Sequence, residues 1–255
     1  MSKEEGKRRR GIYLLPNLFT TAALFAGFYA IVAAINGRFE DAAIAIFVAM
    51  LLDGMDGRVA RMTNTQSDFG AEYDSLSDMV SFGLAPALVM YEWALSGMGK
   101  LGWLAAFIYT AAAALRLARF NTQVGIADKR YFQGLASPAA AAIVAGMVWV
   151  GDVYLPADII INRVALVLTL IAGLLMVSNV RYHSFKGIDF KGKVPFVTIL
   201  LVVLILVLIS YEPPIILFGG FMIYALSGPI LTLWQLQRRR AERRQQRREV
   251  KPDKP

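Results

Sequence analysis

Asp53 and Asp56 lie three residues apart, and Asp74 and Asp78 lie four apart, each pair flanked by apolar residues. Both spacings put the paired side chains on one face of a helix. Four carboxylates cannot stay ionised close together unless a cation or raised pKa values relieve the repulsion. Oxygen ligands in this number suit Mg²⁺ or Mn²⁺, with Ca²⁺ as a further occupant, and do not suit zinc or copper. Two such ions about 3.5–4 Å apart stabilise the attacking and leaving oxygens in displacement at phosphorus. A lone aspartate near a helix end is usually a cap; two pairs in register are not. Gly57 and Gly70 remove a Cβ where a nucleotide or a second helix must come close, and Arg61 is placed to pair with a phosphate.

Composition removes several other chemistries. The chain has no cysteine, which excludes disulfides, thiolate zinc sites and Cys nucleophiles. Its one histidine, His183, leaves little room for a His-based metal site or a Ser-His-Asp triad, and reads as an interfacial residue.

The elements that must carry the aspartates are membrane helices. Of the 255 residues 56% are hydrophobic and 18% charged, and the apolar ones fall in runs near the spanning length of about 20 residues. Eight segments follow, at about 17–36, 41–61, 70–95, 101–120, 138–150, 164–180, 194–209 and 215–236. The expected fold is therefore an all-α integral membrane bundle of about eight transmembrane helices. Segments two to five are less oily and richer in small residues, so they should pack inside it. The first aspartate pair ends segment two and the second begins segment three, which makes a hairpin with all four carboxylates at one membrane boundary.

Eight spans put both termini on one side. Of the 27 Lys and Arg residues, only Arg38, Lys100 and Arg163 then fall on the opposite side. By the positive-inside rule the termini and the carboxylates are cytoplasmic. This segregation, with attraction to anionic lipid, accounts for the net charge of +8 without nucleic acid as a partner. Residues 1–236 read as one membrane domain and 237–255 as a basic cytoplasmic tail that extends the last helix and frays. The basic run before segment one resembles the start of a signal peptide, but the following stretch is of spanning length and lacks an A-x-A site, so it reads as a retained helix. Tyr13, Trp93, Trp103, Trp149, Tyr211 and Trp234 fall near segment ends and are expected in the interfacial aromatic belts.

From Asp53 to Asp78 the sequence is D-x2-D-G-x2-A-R-x8-G-x3-D-x3-D, which resembles the signature of the CDP-alcohol phosphatidyltransferases without departure. The resemblance implies a membrane enzyme that takes a CDP-linked lipid, displaces CMP and joins the phosphatidyl group to an alcohol. It further implies that Asp53, Asp56 and Asp74 are metal ligands. Asp78 would contact metal and act as base, and Gly57, Arg61 and Gly70 would line the CDP site.

Further stretches resemble the phosphatidylserine synthase branch of that family. They are Pro16-Asn17 with Thr20, Ser81-Phe82-Gly83 with Pro86, Leu115 to Asn121, Phe132 to Pro138, and Ser178 to Lys186. Ala136 stands where many relatives would carry proline. The resemblance implies CDP-diacylglycerol and L-serine as substrates, Asn17 and Thr20 at the donor site, a bacterial inner-membrane location and a homodimer. Serine would need a cation for its carboxylate, and Arg116, Arg119, Arg181 and Lys186 are the candidates, with Asn121 beside them. Each cation has a second reading as a snorkelling positive-inside residue, and Asn121 as a helix cap. Glycerol phosphate, inositol phosphate or choline as acceptor, or an archaeal ether lipid as donor, remain alternatives within the family. An ion-coupled transporter is the alternative outside it. It is disfavoured because the acids sit at one membrane face, and no paired broken helices occur in matching halves.

Overall fold

The computed structural model describes residues 14–63, 65–122, 131–155, 158–183 and 196–249. Eight helices follow one another: α1 Leu14–Ile35, α2 Phe39–Thr63, α3 Asp68–Met98, α4 Lys100–Thr122, α5 Ser137–Tyr154, α6 Ile159–Val177, α7 Phe196–Tyr211 and α8 Pro213–Glu249. Each of the eight expected segments is a helix. α1, α3, α4, α5, α6 and α8 are long and apolar enough to cross a bilayer. α2 is 25 residues long but carries acids at both ends, and α7 has 16 residues.

Several boundaries differ from expectation. The fifth segment, expected at 138–150, is a full 18-residue helix. Its alanine content reflects position, because α5 is the most buried helix and packs on α2, α6, α8 and the middle of α3. α8 runs unbroken past residue 236 to Glu249, in line with the expected extension of the last helix into the basic stretch.

Small side chains let the helices approach closely, as membrane interfaces require. Ala23, Ala30, Ala33 and Ala34 of α1 are buried, as are Ala42, Ala43, Ile46 and Ala49 of α2. α1 also holds α3. The Ser77 hydroxyl donates to the Thr20 carbonyl at 3.1 Å and the Ser81 hydroxyl to the Ala23 carbonyl at 3.0 Å, both buried. A Cβ on Gly27 would lie 2.7 Å from the Ser81 Cα. α3 is not a uniform α-helix: Met79–Leu84 and Tyr91–Leu95 are π-helical. The first π turn begins immediately after Asp78, and such turns often sit at functional sites.

Two short strands were not anticipated. β1 (Tyr131–Gln133) pairs antiparallel with β2 (Arg181–His183), matching Phe132 with Tyr182. Two of the expected belt residues pack inward instead. Trp149 is buried, its indole N–H donates to Glu40 Oε1 at 3.3 Å, and its ring lies 5.9 Å from that of Phe47. Trp93 is partly buried in the core and lies against Gly151. Trp103, Tyr211 and Trp234 are exposed, as belt residues must be. α7 is exposed along its length and apolar all round, which suits contact with acyl chains.

Gly27→Ala should destabilise the bundle by about 1–3 kcal/mol, because the added methyl meets the Ser81 backbone as well as its hydroxyl, so a side-chain rotation alone cannot relieve the clash. Gly54 has nothing within 4 Å of its would-be Cβ. Gly54→Ala should therefore leave stability equal or slightly raised. Thermal unfolding of the two variants in the same detergent checks the pair.

Candidate active site

The site forms where the end of α2 meets the start of α3. α3 starts sharply because Ser67 caps it, with its Oγ accepting from the Gly70 N–H at 3.0 Å. One turn in, Asp74 faces the α2 pair. Candidate ligand oxygens of Asp53, Asp56 and Asp74 all lie within 4.8 Å of one another. Asp78 stands one turn further along α3, outside that trio, with Asp53, Asp74 and Arg116 as its electrostatic neighbours.

α1 fixes the carboxylates from behind. Thr20 is buried, and its hydroxyl donates to Asp56 Oδ2 at 2.7 Å. Asp56 is itself buried, only 6% exposed. Oδ1 of Asp74 and Oδ1 of Asp78 are buried and have no hydrogen-bond partner. Buried carboxylate oxygens without a donor are costly. Three hard oxygen donors facing one another, one with an orphaned lone pair, fit a divalent oxophilic cation.

A cavity of about 400 Å³ opens beside the trio. All five residues expected at the donor site line it: Asn17 and Thr20 from α1, Gly57 and Arg61 from α2, and Gly70 from α3. Asp56 and Asp74 also line it. A Cβ on Gly70 would come within 3.2 Å of Ser67 Oγ and 3.6 Å of Asn17 Oδ1, so glycine keeps this wall open. The turn residues Thr65, Gln66 and Ser67 also line the cavity and were not singled out in the sequence. Ser67 ahead of Asp68 is a helix-start signal that would have found one of them.

The acceptor candidates separate. Arg116 is a charge neighbour of Asp78, does not line the cavity, and donates through Nη1 to Ser137 Oγ at 2.6 Å. Its Nε is buried without a partner, as is Nη1 of Arg119, one turn along the same helix. Asn121 is no cap: it lies within α4, and its Nδ2 donates to Ser75 Oγ at 3.0 Å, tying α4 to α3. Arg181 sits on β2, exposed, with its backbone N–H donating to Thr232 Oγ1 at 3.3 Å. Lys186 lies outside the described residues. Ser137, the partner of Arg116, falls in the Phe132–Pro138 stretch that carries the resemblance but was not singled out as a site residue.

The family described as CDP-alcohol phosphatidyltransferase matches residues 13–175, which span the trio, Asp78, the cavity and both α4 arginines. The chain belongs to the CDP-alcohol phosphatidyltransferase family. Enzymes of this family transfer phosphatidyl groups from CDP-linked substrates, and this chain is a multi-pass membrane transferase of that kind. It is 35% identical over 215 residues to a Helicobacter pylori protein named CDP-diacylglycerol–serine O-phosphatidyltransferase, covering 84% of this chain and 90% of that protein. A Bacillus subtilis protein of the same name is 32% identical over 172 residues, 68% of this chain and 91% of its own length. A Methanocaldococcus jannaschii protein of that name is 40% identical over 142 residues, 56% of this chain and 63% of its own length.

Alanine at Asp53, Asp56 or Asp74 should weaken Mn²⁺ binding and CDP-lipid binding together. Thr20→Val should lower Mn²⁺ affinity about 10-fold, since second-layer partners of metal ligands typically contribute 10–100-fold. Electron paramagnetic resonance titration of Mn²⁺ reads the first effect and calorimetry with CDP-lipid the second. Wild-type Mn²⁺ affinity in all three alanine variants would contradict the trio's assignment.

Proposed function

We propose that the protein transfers the phosphatidyl group of CDP-diacylglycerol to the hydroxyl of L-serine, giving phosphatidylserine and CMP. The three relatives above carry that activity in their names. The observation that carries the reading is that Asp78, which has an orphaned buried carboxylate oxygen, has Arg116 as a charge neighbour, and that Arg116 and Arg119, one turn apart on α4, each bear a buried N–H without a partner. Serine brings a hydroxyl to be deprotonated and a carboxylate to be held, and these two kinds of group match it.

Mg²⁺ or Mn²⁺, as one or two ions held by Asp53, Asp56 and Asp74 with Asp78 alongside, would neutralise charge on the pyrophosphate when bound. The residues of the chain do the rest. Asn17, Gly57 and Gly70 shape the cavity around the nucleotide, and Arg61 offers its guanidinium to a phosphate. Arg116 and Arg119 hold the serine carboxylate, and Asp78 Oδ1 accepts the hydroxyl proton as the serine oxygen bonds to phosphorus. The phosphorus–oxygen bond to CMP breaks, and CMP leaves with the electron pair.

The charge pattern supports both termini and the site at the cytoplasmic face of a bacterial inner membrane. The arginine-rich end of α8 would then lie on the same side. The small-residue helix faces are compatible with a homodimer.

Asp78→Asn should cut kcat by about 10²–10⁴-fold while CDP-diacylglycerol still binds. Arg116→Ala should raise KM for serine about 10-fold or more, the usual effect of losing a hydrogen bond to a charged group. Arg116→Lys should restore only part of it. The assay is an acceptor panel with purified protein, CDP-diacylglycerol and divalent ion, scored for lipid product and CMP. Product from glycerol phosphate, inositol phosphate or choline, and none from serine, would sink the serine assignment.

A further inference from the structure

The Arg116 guanidinium of α4 donates through Nη1 to the Ser137 hydroxyl of α5 at 2.6 Å, and Ser137 is wholly buried. α6 positions both partners, since it packs on α4 and on α5. On the α4 side Gly173 of α6 lets the two helices close up. A Cβ there would lie 3.2 Å from the Tyr109 Cα, two turns before Arg116.

On the α5 side the end of α6 and the residues after it pin the chain that leads into the helix. The Leu135 N–H donates to the Leu175 carbonyl at 2.9 Å, and the Gly134 N–H donates to the Val180 carbonyl at 2.8 Å. Gly134 has φ +79, and a Cβ on it would overlap the Met176 carbonyl oxygen, so the turn needs glycine. Ala136 is then extended, with ψ 137, and α5 starts at Ser137 with Pro138 in its first turn. One torsion separates the serine oxygen from this fixed backbone. The long arginine side chain has far more freedom to lose, so Ser137 sets the position of Arg116 and not the reverse.

The hydrogen bond suits a carboxylate ligand of Arg116 in two ways. Serine is neutral, so it orients the guanidinium without neutralising it, whereas a carboxylate at that position would compete with the ligand. It also takes only Nη1. Arginine grips a carboxylate through parallel N–H groups on one edge, and the edge carrying Nε keeps a buried N–H without a partner.

We propose that Ser137 is a positioning residue for the acceptor: by accepting from Nη1 it fixes the Arg116 guanidinium with its Nε edge left to the acceptor carboxylate. This role rests on the acceptor reading above, which places a carboxylate beside Arg116. Neither Ser137 nor Arg116 lines the donor cavity, so the effect falls on the acceptor.

Steady-state kinetics on Ser137→Ala, Ser137→Thr, Arg116→Ala and the double alanine variant test it, with the wild-type acceptor panel run first. Ser137→Ala should raise KM for serine about 10-fold, while kcat and KM for CDP-diacylglycerol stay near wild type. Ser137→Thr keeps an accepting hydroxyl and should recover most of the loss. In the Arg116→Ala background, Ser137→Ala should add nothing further, because the group it positions is gone. If Ser137→Ala does not fold, Ser137→Cys, with a weak acceptor, takes its place under the same expectation. A wild-type serine KM in Ser137→Ala beside a raised one in Arg116→Ala overturns the proposal and leaves the acceptor reading standing. So does an equal rise in both KM values, an additive effect in the double variant, or a loss confined to the yield of folded protein, since each marks a merely structural residue. A wild-type serine KM in Arg116→Ala sinks the acceptor reading and the proposal with it. If the wild type uses a different alcohol, the serine reading falls, and the KM of that alcohol in Ser137→Ala decides the role of Ser137 in the same way.

Discussion

The structure is organised around charge that must be kept at the end of apolar helices. Asp53, Asp56, Asp74 and Asp78 crowd one boundary of the bundle, and at least two of their oxygens are buried without a donor. Such a cluster persists only if the helices are fixed firmly enough that it cannot splay apart into water. The alanine seam between α1 and α2, the approach of Gly27 to Ser81, and the Ser77 and Ser81 bonds to α1 carbonyls all serve that end. Thr20 then reaches from the same helix to orient Asp56. The packing and the chemistry share a helix face, which is why small residues and polar ligands alternate along it.

The carboxylates also divide the site. Asp56 and Asp74 line the donor cavity with residues of α1, α2 and the turn before α3. Asp78 lies one turn further along α3, with Arg116 of α4 as well as Asp53 and Asp74 among its charge neighbours. The π turn of α3 starts directly after it, at Met79. In the proposed reaction the donor would fill the cavity and the acceptor would lie beside Asp78 and Arg116.

Much of this was legible in the sequence for a physical reason. Spanning helices must be apolar and long, so all eight segments announced themselves, and carboxylates among them have few bland explanations. Of the five residues expected at the donor site, Gly57, Arg61 and Gly70 lie close to the aspartates in sequence, whereas Asn17 and Thr20, far off on α1, were joined to them only by the family resemblance. The acceptor side was less legible, because its parts come from α3, α4 and α5. Spacing showed that Arg116 and Arg119 share a face, but not that Ser137 of α5 accepts a hydrogen bond from Arg116. The β1–β2 pair was invisible, since three-residue strands carry no periodicity. Trp149 was misplaced because nearness to a segment end suggested an interface, whereas α5 is longer than its oiliest stretch and Glu40 of α2 meets the indole inside the bundle.

The central claim is that both substrates occupy the site together and that the acceptor oxygen attacks phosphorus directly, with Asp78 taking its proton. Isotope exchange tests this most directly. Purified protein is incubated with CDP-diacylglycerol, divalent ion and radiolabelled CMP, with no acceptor present. Direct attack requires the acceptor, so the account predicts no label in CDP-diacylglycerol until serine or phosphatidylserine is added. Label entering CDP-diacylglycerol without any acceptor would show a covalent phosphatidyl-enzyme, make a carboxylate the nucleophile, and contradict the assignment of Asp78 as the base.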